Sequence, residues 1–431
     1  MRGETVRVIE ISNLEQSLKE LLKIGIGYNS SLKMSEYYDF KVVKISYIDV
    51  REINIIRAEA LKNGMSAVVS DEILLLNAAK GELLLGGTAF QYEMLIRALG
   101  NSLLNCSEIA LKIKKIVYNY GIDNFEREIK GKIFNFGEKS FVMGILNITE
   151  DSFSDGGKYI NADKAIERAL KMVEDGADIL DIGAESTRSG AIPVSEEEEL
   201  ERIVPIVEKL SKLVKVPISI DTYKSEVAKY SLRAGADIIN DITGLKGEST
   251  MAEVAKYSLR AGADIINDIT GLKGESTMAE VVSDNDAYVI IMHMQGTPQT
   301  MQSNPEYQDV VSDICLDLKE SFSIAEIAGI KKEKVIIDPG IGYGKSTNHN
   351  LEIIKRVGEF KIFGAPILIG ASRKSMIGNV LNLPVNERVE GSLAVAAASV
   401  MNGASIIRVH DVKETKRTLI MIDSIKNCLK E

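Results

Sequence analysis

Cysteine and histidine are scarce in this chain of 431 residues, with three of each. Cys106, Cys315 and Cys428 lie far apart and are odd in number. They offer neither zinc-ligand spacing nor a disulfide framework, which suits a reducing cytoplasm. Positive charge is in the minority, 52 Lys and Arg against 62 Asp and Glu. A net charge of −10 argues against non-specific attachment to nucleic acid or to an anionic membrane. No apolar run approaches the ~18 residues of a membrane span, and Met1 to Arg7 lack the apolar core of a signal peptide. A cytoplasmic protein is expected, with no nucleic-acid or membrane partner. The remaining composition, 45% hydrophobic and 26% charged, is that of a globular chain.

The length exceeds one average domain and fits a barrel of ~250 residues plus a smaller unit. Residues 1–130 read as a small α/β domain. Strands are expected at Val6–Ile11, Lys41–Tyr47, Ser66–Leu76 and Glu82–Leu85. Helices are expected at Asn54–Asn63, Phe90–Leu99 and Glu108–Tyr118. No chemical motif lies there. Gly121–Lys139, polar and broken by glycines, reads as the joint.

Residues 131–431 have a different rhythm. Short β-branched runs alternate with amphipathic segments of helical length. The strands fall at Phe141–Thr149, Ala177–Ala184, Pro217–Thr222, Ala236–Thr243, Tyr288–Met294, Val335–Gly340, Pro366–Ser372 and Ser405–Val412, and a helix at Val412–Leu429 ends the series. Eight βα units predict a (β/α)₈ TIM barrel. Near-continuous apolar strands such as Val335–Ile337 suit a parallel sheet buried on both faces. Polar residues follow the runs: Asn147, Asp181, Asp221, Asp338, Arg373 and Arg408. In such barrels that end carries the active site.

One segment is duplicated. Glu226–Val254 recurs without change as Glu253–Val281, an offset of 27 residues. Two copies fall short of a solenoid. A ninth strand would disturb the agreement of strand number, tilt and shear that closes a barrel. The expectation is therefore that one copy forms the fourth stave while the other is extruded. Asn240 and Asn267 become rivals for one position.

Several tips carry chemistry. Arg408 and His410 sit two residues apart, on one face of a strand, and could take an anion such as a phosphate or diphosphate. The alternative is an ion pair with Asp411 or Glu414. Asn147 ends a strand before a long polar loop, where an amide oxygen can ligate Mg²⁺ beside phosphate oxygens or simply cap a turn. Asp221 and Asp338 are carboxylates at buried strand tips, costly unless something donates to them. A flat heterocycle with N–H and amino groups would do so. Ser372-Arg-Lys374 adds cations and a hydroxyl where a helix begins. Glu185–Gly190 offers hydroxyls and a guanidinium. Gly342–Lys345 resembles a phosphate loop only superficially, and His293 is as consistent with a packed core as with catalysis.

Met143–Gly157, Glu185–Gly190, Ile220–Thr222, Ile239–Ile242, Met292–Gly296, Asp338–Lys345, Ser372–Lys374 and Arg408–Glu414 occur in one order. Together they resemble the dihydropteroate synthase family, folate-pathway enzymes targeted by sulfonamides. The resemblance covers Phe141 to the C-terminus. Glu150 and Ser189 stand where the family usually has proline, Tyr343 where phenylalanine is common, and Ile-Asn-Asp-Ile occurs twice instead of once.

The resemblance implies that p-aminobenzoate is joined to 6-hydroxymethyl-7,8-dihydropterin diphosphate, with pyrophosphate released. It implies that Asp221, Asp338, Lys374 and one of Asn240 or Asn267 read the pterin edge. Arg408 and His410, with Mg²⁺ at Asn147, would hold the diphosphate, and Lys374, Arg408 and His410 would be the catalytic groups. Thr187, Arg188 and Ser372 would form the p-aminobenzoate pocket, and a homodimer is expected. Two rivals stand beside this reading. One is a barrel that transfers a methyl group between a reduced folate and a corrinoid, which has no diphosphate to hold. The other is an inactive pterin-binding protein whose fourth strand the duplication has spoiled.

Overall fold

The computed structural model describes residues 7, 9, 11, 13–75, 77–101, 106–148, 158–184, 194–241, 259, 263–274, 277–297 and 300–428. The chain forms two compact units, Met1–Ile122 and Asp123–Glu431.

In the first unit, β1 (Phe40–Asp49), β2 (Ser66–Val69) and β3 (Lys80–Thr88) form an antiparallel sheet in the order β1-β3-β2. Leu83 and Leu85 of β3 bury against Ile53 and Ile56 of helix Val50–Lys62 and against Tyr92 and Leu95 of helix Ala89–Gly100. Each helix starts where its sequence can satisfy the loose N–H groups. Asp49 caps the first, and Thr88 and Gln91 form a reciprocal capping box on the second. The strand expected over Ser66–Leu76 stops at Val69, because Asp71 and Glu72 favour the start of a helical turn over Asp71–Leu74. The segment Val6–Ile11 lies mostly outside the described residues, and helices Leu14–Lys23 and Tyr28–Ser35 were not anticipated.

The second unit opens with a hairpin instead of a joint. Strands β4 (Phe125–Ile129) and β5 (Lys132–Phe136) turn at Lys130 and Gly131, with φ of 52° and 66°. Two successive left-handed residues suit the right-handed twist of a tight hairpin. The hairpin buries Ile129, Phe134 and Phe136 against Phe141, Ile238, Ile265 and Ile336. Those partners open or nearly open their barrel strands, so aromatic side chains seal the N-terminal end. Burial of each phenylalanine stabilises the plug by about 2 kcal/mol.

The barrel strands are β6 (Phe141–Asn147), β7 (Ile179–Gly183), β8 (Ile218–Asp221), β9 (Ile238–Asp241), β10 (Ile265–Asp268), β11 (Tyr288–Met292), β12 (Val335–Asp338), β13 (Leu368–Ile369) and β14 (Ile406–Val409). Neighbours pair in parallel in the order β12-β11-β10-β9-β8-β7-β6-β14-β13. The ring closes through an isolated bridge between Ile337 and Ile367, where the Ile337 N–H donates to the Pro366 carbonyl at 3.0 Å. Helix Val412–Asn427 follows β14.

The barrel is TIM-like, as expected, but it has nine staves. Extrusion of one copy of the duplicated segment is overturned. Strands β9 and β10 are the two copies, side by side in register, with Asn240 opposite Asn267 and Asp241 opposite Asp268. Each also pairs with its outer neighbour, β9 with β8 and β10 with β11. The hairpin secures both from below. The Lys130 ammonium donates to Asp237 at 2.8 Å, and the Lys130 N–H donates to Asp264, the equivalent residue of the second copy, at 3.1 Å. The argument from closure failed because one further parallel strand widens such a ring only modestly. Among the described residues no helix is long and apolar enough to cross a membrane.

Candidate active site

The alternation that faces Ile238 and Ile265 into the barrel also faces Asn240 and Asn267 inward, two residues nearer the C-terminal end. The same logic brings Asp181 of β7, Asp221 of β8, Asp338 of β12 and Arg408 of β14 to that mouth. Asp181 is fully buried, and Asp221 and Asp338 nearly so.

Arg408 is the hub. Its Nε donates to Asp181 at 2.7 Å, and its Nη2 lies 2.5 Å from Asp181 and 2.9 Å from Asp221. Burial opposes the guanidinium charge, but the two carboxylates outweigh it and hold the pKa above the ordinary arginine value. Asn240 donates to both Asp181 oxygens, at 3.4 and 3.3 Å. Asn267 donates to the Asn240 carbonyl at 2.7 Å. Gly183 lets Asp221 approach β7, since a methyl group there would sit 3.2 Å from the Asp221 Cβ.

Asp338 anchors the opposite side. Burial raises its pKa, while the Gly340 N–H, donating at 2.7 Å, and the charges of Lys374, Lys345 and Arg408 pull it down. Gly340 has φ of +71°, and a Cβ there would fall 1.9 Å from the His293 carbonyl oxygen. Only glycine serves this turn. Lys374 donates to the Ile341 carbonyl and sits 4.6 Å from the centroid of the Tyr343 ring. Burial pushes the ammonium down to about 8, against the opposing pull of Asp338. Arg373 precedes it with φ of 57°, an unusual conformation for a bulky residue. Its guanidinium is clamped on Asp411, and its carbonyl accepts from Arg388 at 3.0 Å. This strained turn aims Lys374 and Arg373 in different directions. Asp411 thus pairs with Arg373, not with Arg408 or His410.

Ser372 and His410 meet where β13 and β14 end, with Oγ 3.1 Å from Nδ1. Asn147 pairs with Gly183 at the tip of β6, and its side chain is exposed. Among the described residues no three His, Cys, Asp or Glu side chains cluster as a metal cage. An exposed amide oxygen at Asn147 could ligate a hard cation only alongside water or ligand oxygens. Thr187 and Arg188 lie outside the described residues, as do Glu150 and Ser189.

Two contributors were undervalued in the sequence. Asp181 was noted only as one polar tip among several, although it receives Arg408 and Asn240. Lys345 is buried and donates to the Tyr343 carbonyl at 2.9 Å, with its Nζ 2.9 Å from His293 Nδ1. Burial lowers Lys345 to about 7, and burial with Lys345 lowers His293 to about 2. His293 is a neutral packed residue that positions Lys345.

A barrel sealed at one end, with acids, amides and cations ringing the other, defines a class. The pterin binding enzyme family matches residues 143–258 and again 248–410, so each copy of the duplicated segment completes the pattern in turn. The chain belongs to that class. Dihydropteroate synthase of Clostridium beijerinckii is 44% identical over 299 residues, which are 69% of this chain and 98% of that protein. The Yersinia pestis dihydropteroate synthase solved with a sulfonamide drug matches with a TM-score of 0.57 at 39% identity, over 70% of this chain and 99% of that one. The Xanthomonas albilineans enzyme solved with 4-aminobenzoic acid gives 0.57 at 35% identity, over 70% and 98%. Within the class, this chain is a member of the dihydropteroate synthases, enzymes of folate biosynthesis.

Proposed function

We propose that the barrel mouth joins p-aminobenzoate to 6-hydroxymethyl-7,8-dihydropterin diphosphate. A C–N bond forms between the aniline nitrogen and the pterin methylene carbon. The methylene C–O bond breaks, its electron pair leaves with diphosphate, and the amine loses a proton. The observation that carries this reading is the convergence of Asp181, Asp221, Asp338, Lys374 and Arg408 on one rim. Buried acids with preorganised donors suit a heterocycle that presents N–H groups, and they offset positive charge developing on the methylene as the dianion departs. The aniline nitrogen, a weak nucleophile, needs such a cationic partner.

Asp221, Asp338, Lys374 and one of the two asparagines would hold the pterin. Arg408 and His410 would receive the diphosphate, with the Arg408 carboxylate contacts keeping its guanidinium in place before the substrate arrives. Asn147 would hold Mg²⁺, which neutralises diphosphate charge when bound. Ser372, with Thr187 and Arg188, would face p-aminobenzoate. A homodimer in the cytoplasm completes the reading. Purified protein given both substrates and Mg²⁺ should release diphosphate in proportion to dihydropteroate formed. Pterin binding without diphosphate release would instead support an inactive binding protein.

A further inference from the structure

The two asparagines do not compete; their amides are wired in series, and the direction of the wire is fixed. Asp181, as the ion-pair partner of Arg408, is a carboxylate and can only accept hydrogen bonds. Asn240 must therefore present its NH₂ to Asp181, at 3.3 and 3.4 Å. Its carbonyl then faces β10 and accepts from the Asn267 NH₂ at 2.7 Å. That leaves the Asn267 carbonyl as the one amide end of this Asp181–Asn240–Asn267 relay without a hydrogen-bond partner among the described residues. Asn267 is only 8% exposed, and its Oδ1 is buried with no hydrogen bond. A buried acceptor left empty costs stability, so one that persists at a binding mouth marks where a donor arrives.

We propose that Asn267, from the second copy, accepts an N–H of the bound pterin, while Asn240 is a positioning residue that fixes the Asn267 amide. This rests on the function proposed above. A barrel with a single asparagine would have to anchor to the acid and read the ligand with one side chain. The duplication divides those tasks between two.

The test is equilibrium binding of 6-hydroxymethyl-7,8-dihydropterin to the full chain and its variants, against an analogue methylated at the ring amide nitrogen. The unmodified protein should bind the methylated analogue about tenfold more weakly, the scale of one lost hydrogen bond to a buried group. Asn267→Ala should weaken pterin binding about tenfold and abolish most of that discrimination. The isosteric Asn267→Leu, which preserves packing, should do the same. Asn240→Ala should reduce both quantities by less, because the Asn267 carbonyl remains but can rotate. Equal binding of the two ligands by the unmodified protein overturns the proposal, whatever the variants do. So does pterin affinity that survives Asn267→Leu and vanishes in Asn240→Ala. No pterin binding by the unmodified protein would instead sink the functional reading on which the assignment rests.

Discussion

Replacing Arg408 by methionine removes a cation that two buried acids share. Asp181 has no exposure and Asp221 9%, and the arginine side chain itself is 23% exposed. Water can therefore do little for the carboxylates left behind. Breaking a buried ion pair from one side costs about 3–5 kcal/mol, and the full burial of Asp181 places this case towards the upper end. For a large unit each kcal/mol lowers the melting temperature by about 2–3 °C, so a drop of about 10 °C is expected. The chain has no tryptophan, so calorimetry with far-UV circular dichroism is the suitable assay. Adding Asp181→Asn to Arg408→Met removes one stranded charge and should recover roughly half of the loss. A single variant melting within about 2 °C of the parent would refute the reasoning, as would a double variant less stable than the single.

The remaining predictions concern other parts of the same rim. Lys374, depressed to about 8 from the ordinary 10.5, should make pterin affinity fall as pH rises through about 8, and Lys374→Arg should flatten that alkaline limb; an unchanged limb in the variant would clear Lys374 of the role. Its effect on stability runs the other way. The cost of the buried ammonium is fully present below about 8 and is relieved towards 10.5, where the unfolded chain still holds the proton that the native state has shed. Gly340→Ala, which meets the His293 carbonyl at 1.9 Å, should lower both melting temperature and turnover; parent-like values for both would show that the turn can relax. Deletion of Glu253–Ala279 leaves one copy of the duplicated segment and should give a barrel at least as stable as the parent. A clearly lower melting temperature would show that β10 now contributes more than the ninth stave strains.

Much of the barrel was legible because a buried parallel strand has little choice of residue. Val335–Ile337 and Ile367–Ile369 could hardly be anything else, and an acid or a guanidinium at the end of such a run has only the mouth to occupy. The hairpin at Phe125–Phe136 was misread because its apolar residues alternate with charged ones, a pattern whose half-buried character depends on finding a partner surface. The alternation Phe125, Arg127, Ile129 around Lys130-Gly131 was the available signal. Asp181 was undervalued because its importance lies in two partners distant in sequence, Asn240 and Arg408. Nothing in the duplicated segment could reveal that both copies enter the sheet. That depends on whether the ring tolerates another stave, and on Lys130 reaching an aspartate of each copy.

The hairpin beneath the barrel has a kinetic consequence. Phe134 and Phe136 stop the N-terminal end, which leaves the C-terminal end as the approach to the acids among the described residues. There Asp181 and Asp338 are buried, whereas Asn147 is exposed. On the function proposed above, a heterocycle seated on the buried acids would enter first and depart last, so traffic would obey the discipline of a stack. A compound lodged near the threshold would trap the heterocycle below it instead of displacing it.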